Sequence, residues 1–433
     1  MSDALTQHDS WLNDKGPAAI VIREYLSPVE GADGVFFPAT YVAQEGADKD
    51  RAKFQGGYNI DIFLNGKNVC LVDSVGSQAN RIEPLFAQKE YAGLVPQIIV
   101  QAGNKRVNLL DANHRAADVL FRCSSQLRDI LHDAFRAVLA GNAEPLAKIA
   151  PTSLVFGVWD SRVTYAKVPR LISSTIRAYD VRKITRSANY LVQQQLDYIK
   201  DGIMPEWDQL TDAEKKELSK KGFQNALASA THGGVIADSG IRRDASLNLA
   251  AIRLLSARDA NGMLDEERTL ALRRYILGLA LTALTAQQST YLRQGCNLVP
   301  MFDQPREVHL VHGDGKRESF TLSHTNALAF AEMAANKFVV GNSGVYQFDA
   351  KLAEEERKGA DDKVKGEIVS VNVDSKMFTL KQGGTKPDIE LQTTDATIYL
   401  TGKLASTFDA LILTKAKVRV EVANGCALKV TGK

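Results

Sequence analysis

Along the first hundred residues the apolar positions fall in short runs rather than at helical spacing. AAIVIREYL, residues 18–26, follows the breaker pair Gly16-Pro17 and predicts a strand, buried first and emerging at Arg23 and Glu24. Two further β-like runs, 58–64 and 68–73, flank Asn65-Gly66 and predict a hairpin with a type I′ turn. SVGSQANRIE, residues 74–83, is polar without periodicity and reads as a loop. The period then changes: Leu120, Leu127, Leu131, Phe135 and Val138 share one helical face, with Asp111 as N-cap and Gly141 as the stop. LVFGVW, 154–159, reads as a buried strand. Thr211-Asp-Ala-Glu214 is a capping box that opens a surface helix. Asp244 is expected to cap a helix over 245–257, and Asp265 a longer one over 266–293 that Gly295 ends. Strands at 297–302 and 317–322 and a helix near 326–337 complete this part of the chain.

After residue 345 the pattern shifts. KLAEEERKGADDKVKG, 351–366, mixes charges without an apolar face and reads as a linker or a solvated helix. Beyond it the chain is rich in Val, Ile and Thr in alternating runs (Val369, Val371, Val373; Phe378, Leu380; Val418, Val420, Val422), with turn signals at 374–376, Gly383-Gly384 and Asn424-Gly425. That predicts a small all-β module, OB-like or SH3-like. The expected organisation is a body over 1–345, a charged linker over 346–366 and a β module over 367–433. The body reads as α+β, its interleaved strands and helices allowing an antiparallel sheet with helices on one face, as in RRM-like folds.

Composition narrows the partners. At 45% hydrophobic and 24% charged, the 433-residue chain can build a sizeable core. Its net charge of +2 means that affinity for a polyanion has to come from a local patch. The four cysteines (Cys70, Cys123, Cys296, Cys426) are far apart, which excludes a zinc ribbon or a Cys-x-x-Cys redox motif and suggests a reducing compartment. The N-terminal residues lack the apolar core of a signal peptide. The longest apolar stretch, 275–284, is broken by Gly278 and Thr282 and is too short to span a bilayer. A cytoplasmic protein without a membrane partner is expected.

Three segments carry candidate chemistry. Residues 160–190 hold seven basic residues (Arg162, Lys167, Arg170, Arg177, Arg182, Lys183, Arg186) against Asp160 and Asp180, a local charge of +5, with hydroxyls and Tyr165, Tyr179 and Tyr190 interleaved. Guanidinium forks and hydroxyls suit phosphate and 2′-OH groups, and tyrosines stack on unpaired bases. The competing account is a solvated face neutralised by its own salt bridges. Ser77-Gln78-Ala79-Asn80-Arg81 offers amide and guanidinium groups together, or else a self-satisfied turn. Thr231-His232-Gly-Gly-Val235 and Arg242-Arg243 combine a glycine turn with cations placed just before the expected helix at Asp244. The seven histidines include no His-x3-His or HExxH pair, and there is no Walker A, GxGxxG or GxSxG pattern. No metal, no cofactor and no catalytic set is expected.

A group of motifs adds a family resemblance: CLVDSVGSQANRIE (70–83), LLDANHRAADVL (109–120), PTSLVFGVWDSR (151–162), KVPRLISSTIRAYDV (167–181), GVIADSGIRRDASLNLAAIRLL (234–255) and LRRYILGLALTALTA (272–286). In order, from about residue 18 to about residue 300, they resemble the RAMP-superfamily backbone subunit of type I CRISPR Cascade, the Cas seven family, in the subtype called I-U and later I-G. The resemblance does not cover 351–433. It implies an RRM-like (ferredoxin-like) palm with helical and β insertions, and copies that stack along the crRNA spacer. A thumb hairpin would displace bases at intervals and leave the others to pair with target DNA. Other Cascade subunits and a separate helicase–nuclease would be partners, and the subunit itself would not cleave. Carried onto this sequence, the crRNA contacts fall first on Gln78, Asn80 and Arg81. Arg162, Lys167, Arg170, Arg177 and Arg186 come next, then His232, Arg242 and Arg243. The alternatives are a metal-independent RAMP endoribonuclease, with His232 or His114 as base, and a stand-alone single-strand binder working through its β module.

Overall fold

The computed structural model describes residues 2–43, 56–190, 202, 206–221, 226–359, 363–373, 375–382, 388–401, 404–405, 407, 412, 417–423 and 426–432. Two compact units divide the chain. The first comprises Met1–Ile98, Asn108–Ala117 and His132–Gly344, and the second Ile99–Val107, Asp118–Leu131 and Val345–Lys433.

In the first unit the strand expected at the start is β1 (Ala19–Pro28), which buries Ile20, Ile22 and Leu26. The hairpin follows as β2 (Ile60–Ile62) and β3 (Asn68–Asp73). Its turn differs from the two-residue type I′. Phe63 N–H donates to Lys67 C=O (2.8 Å) and Gly66 N–H to Phe63 C=O (2.9 Å), so the loop has three residues and ends on Gly66 at φ 81°. The polar stretch read as a loop is helix α1 (Val75–Ile82), opened by Ser74, whose hydroxyl accepts from Ser77 N–H.

The 154–159 run is a helix, Pro151–Phe156, ended by Gly157 at φ 79° before a two-residue strand, Val158–Trp159. A short apolar run fits a buried helix as well as a strand, and Pro151 at the first helical position decides for the helix. Asp111 closes a 3-10 turn (Leu109–Asp111) capped by Asn108, and the long helix begins later, at Ser125–Leu139. Four strands follow: β4 (Ile172–Tyr179), β5 (Val181–Tyr190), β6 (Ala226–Ala237) and β7 (Ile241–Asn248). β7 occupies the place where Asp244 was expected to cap a helix. The cap is Asn248 instead, and it opens only Leu249–Ile252. Asp265 does cap α2 (Glu266–Thr285), its carboxylate accepting from Arg268 N–H, and the helix stops eight residues short of the expected end. α3 (His324–Phe338) lies close to its expected span and packs on α2, where Gly278 permits the approach: a Cβ there would lie 2.7 Å from Ala331 Cα.

The large sheet runs Tyr291–Arg293, Cys296–Pro300, β1, β7, β4, β3, β2, and Glu307–Val311 and Arg317–Ser319 extend it beside β1. Its described strands pair antiparallel throughout. The unit is therefore α+β with a large antiparallel sheet, the class of sheet that the sequence predicted.

In the second unit, segments 350–359 and 118–131 are joined by an Arg122–Glu356 ion pair (3.2 Å), and Asp349 N–H donates to Cys123 C=O (2.7 Å). The charged stretch is thus helical over Ala350–Gly359. The β module contains β8 (Lys363–Asn372), β9 (Met377–Gln382), β10 (Ile389–Thr401), β11 (Lys417–Ala423) and β12 (Cys426–Gly432). Pairing closes a ring: β8 with β9 and β11, β9 with β10, β11 with β12, all antiparallel, and β10 with β12 in parallel. That strand order is the OB-type order rather than the SH3-type one. Its core gathers Ile368, Phe378, Leu380, Leu391, Val418, Val420 and Val430.

Candidate nucleic-acid interface

The first unit gathers Gln78, Asn80, Arg81 and Arg170 around two points, both reached from α1. At the end of β3, Asp73 is fully buried and its carboxylate accepts four donors. They are Ser77 Oγ (2.8 Å), Gln78 Nε2 (2.7 Å), Arg81 Nε (3.2 Å) and Arg293 Nη2 (2.5 Å). Helical spacing explains the set, since residues 77, 78 and 81 lie on one face of α1. Gln78 is itself buried, and its carbonyl accepts from Ser174 on β4 (3.0 Å). Gln78 therefore holds α1 to the sheet, and the side chains of Arg81 and Arg293 are partly exposed.

The other face of α1 meets Arg115. This arginine, buried and at φ 50°, donates to Glu83 (2.6 Å), to Gly157 C=O (3.2 Å) and to Asn80 Oδ1 (3.3 Å). Asn80 also donates to Asn113 (3.1 Å). Burial pushes the Glu83 carboxyl up to about 7, and Arg115 pulls against that rise. Arg170 lies across Gly157, where a Cβ would meet Arg170 Cγ at 2.6 Å, and donates to Phe156 C=O (3.1 Å). Its Nη2 would lie 4.0 Å from a Cβ on Gly76, in the first turn of α1.

A polar sheet face adds a third group. β4 sets Arg177 opposite Arg242 of β7, which also faces Tyr25 of β1. Arg242 is paired with Asp244 (2.9 Å), donates to Tyr179 Oη (3.0 Å) and lies 5.0 Å from the Tyr179 ring centre. Arg177 donates to Thr175 Oγ1 (2.6 Å). Two cations opposite one another across strands are unfavourable unless an anion or a neighbouring carboxylate offsets them. Arg243 points the other way. It is buried and ion-paired with Glu24 (2.9 Å), so it supports the sheet rather than facing solvent.

Beyond β4 and β7 the chain leaves the sheet as the ribbon β5–β6. The corner is fastened: Asp180, at φ 50°, accepts from Ser239 Oγ (2.6 Å) and Asn68 N–H (3.2 Å), and Asn68 exchanges two bonds with Val181 (2.8 and 3.1 Å). Arg182, Lys183 and Arg186 lie on β5. His232 is exposed on β6, where a strand replaces the expected glycine turn, and its ring lies 4.8 Å from that of Tyr58. Arg182 pairs with Asp238 (2.7 Å). In contrast, Arg162, Lys167, Arg170 and Arg177 have no carboxylate within 4.0 Å among the described residues.

Residues 20–183 match the family model described as CRISPR-associated protein GSU0053. This places the segment that carries the site in a CRISPR-associated protein, and so in CRISPR defence. No curated protein matches the chain. The matched residues include Asp73, α1, Arg115, the 157–170 segment and β4, and they end as β5 begins. β6, β7, α2 and the whole β module lie outside the match.

The structure thus brings Arg81, Arg170, Asn80 and Gln78 to one helix, and Arg177 and Arg242 to one sheet face. It leaves His232 on the ribbon. Sequence reading missed Asp73, Arg293 and Trp159. Arg293 is more than 200 positions from Asp73, and no local pattern joins them. Among the described residues there is no cluster of metal-ligating side chains and no helix long and apolar enough to cross a membrane. Burial raises the thiols of Cys70 to about 12 and Cys296 to about 11, which makes them poor nucleophiles.

Proposed function

We propose that this protein is a non-catalytic crRNA-binding subunit of a type I CRISPR Cascade effector, several copies lying along the guide spacer and presenting its bases to target DNA. The observation that carries the reading is the set of cations without carboxylate partners among the described residues, Arg162, Lys167, Arg170 and Arg177, together on the matched segment. Segments neutralised by their own acids have little left for a polyanion, whereas unpaired guanidinium and ammonium groups exchange counterions for phosphates. The family match supports the CRISPR context. The ribbon β5–β6, stiffened at its corner, is our candidate for the thumb that intrudes between neighbouring copies. Other Cascade subunits and a helicase–nuclease are its further partners.

Co-expression with a crRNA, purification and ribonuclease digestion test this reading. Regularly spaced protected and sensitive nucleotides are expected. A monomer that carries no RNA at low salt would overturn it. Charge reversal at Arg162 and Arg177 is expected to weaken RNA binding and to flatten its salt dependence by about 0.7 log unit per decade of salt for each phosphate that is no longer neutralised. Filter binding between low and moderate salt checks the slope. Deleting 367–433 is expected to leave this binding largely in place, which separates the reading from a single-strand binder that works through its β module. Cleavage of repeat RNA that disappears in His232→Ala would mark an endoribonuclease instead.

A further inference from the structure

The loop between the paired two-residue strands Val158–Trp159 and Lys167–Val168 is fixed more firmly than a surface connection requires. Asp160, 2% exposed, accepts from the backbone N–H groups of Arg162 (3.3 Å), Val163 (3.2 Å) and Thr164 (2.7 Å), and from the Thr164 hydroxyl (2.7 Å). Tyr165 is held at φ 58°, a conformation that a tyrosine adopts only when its surroundings enforce it. This frame presents Trp159 at 60% exposure, with Lys167 Nζ 5.6 Å from its ring centre and Arg162 and Tyr165 exposed beside it.

Tryptophan is seldom left so open, because its ring is the largest apolar surface a side chain can bury. Neither Arg162 nor Lys167 has a carboxylate partner among the described residues. An apolar protein surface docked here would strip water from both cations and return no charge. A nucleotide returns both things at once, a π-face for the indole and a phosphate for the cations.

We propose that Trp159 is a stacking platform for one unpaired base of a bound single strand, with Lys167 and Arg162 taking the adjoining phosphates. The inference rests on the RNA-binding reading above and adds to it a base contact and a place. Arg170, which spans from Gly157 toward the first turn of α1, links this platform to the Arg81 side of the site.

The test titrates the full chain, freed of nucleic acid, with short oligoadenylate and oligouridylate RNAs while tryptophan fluorescence is read. The chain has three tryptophans, so the difference between it and Trp159→Phe isolates the signal. Saturable quenching is expected, stronger with oligoadenylate because purines offer more stacking area. Trp159→Ala should weaken binding by roughly 5- to 150-fold, and Trp159→Phe should retain most of the affinity. Unchanged affinity in Trp159→Ala, with Arg177→Glu still impaired, would overturn the platform and leave the RNA-binding reading standing. Failure of the unmodified chain to bind either RNA would overturn that reading itself. Quenching that follows protein concentration without RNA, together with faster sedimentation, would assign Trp159 to contact with a second copy and also overturn the proposal.

Discussion

Asp73→Ala is expected to lower the unfolding free energy by about 3–5 kcal/mol and to cost most of the RNA affinity. The carboxylate has no solvent exposure and compensates two guanidinium groups as well as the Ser77 hydroxyl and the Gln78 amide. Removing it leaves the buried Gln78 donor without an acceptor, a loss of about 1–3 kcal/mol by itself. Arg81 and Arg293 are left facing each other across the gap. Because both are partly solvated, their repulsion is screened, which keeps the expected loss within this range rather than above it. Asp73→Asn preserves volume and some acceptance but turns an NH2 toward the arginines, so it should fall between the two. Urea unfolding followed in parallel with RNA titration checks both effects. A midpoint unmoved by Asp73→Ala would mean that the four donors are satisfied elsewhere.

The second large effect concerns Arg115. Arg115→Met strands the Glu83 carboxylate in the interior and also removes the donor to Gly157 C=O, so a loss of about 3–5 kcal/mol is expected. Replacing both partners, as Arg115→Met with Glu83→Leu, should recover most of it, since no charge is then left unpaired. The pair also has a pH signature. The folded carboxyl, pushed up to about 7 by burial against the pull of Arg115, titrates above its ordinary value of 4.5. A group whose folded value is raised in this way contributes stability that is complete below about 4.5 and lost as pH rises through about 7. The native chain should therefore gain on Glu83→Gln as pH falls across that window. Thermal unfolding of the two proteins at matched pH values gives the comparison, and a constant difference would count against a raised carboxyl.

Long, strongly patterned elements were legible in the sequence: β1, the β2–β3 hairpin, α2 with its Asp265 cap, α3, and the alternating strands of the β module. What escaped had weak local signals and strong distant ones. α1 contains Gly76, Ser77 and Asn80, poor helix formers, and is held in place by bonds to Asp73, Ser174 and Arg115, two of them far away in the chain. β7 alternates Arg242, Asp244 and Ser246 outward with Arg243, Ala245 and Leu247 inward. The inward arginine disguised the strand, because a charge on a core face makes sense only once Glu24 is seen beside it. The basic segment was visible as composition. Which of its cations lack partners is a matter of tertiary placement, and so is the exposure of Trp159, since a tryptophan beside an apolar run reads as core.

The second unit draws on three stretches of chain, and its last one starts more than two hundred residues after its second ends. During synthesis, residues 99–107 and 118–131 wait roughly ten to forty seconds for 345–359 to emerge, at ordinary elongation rates. Through that interval the backbone groups at Gln101 and Cys123 that will receive Phe348 and Asp349 have only water or a chaperone to meet them. A protein cut at residue 345 would remain in that unfinished state permanently. Truncations meant to remove only the β module should therefore keep Ala350–Gly359, so that a loss of solubility is not mistaken for a loss of function.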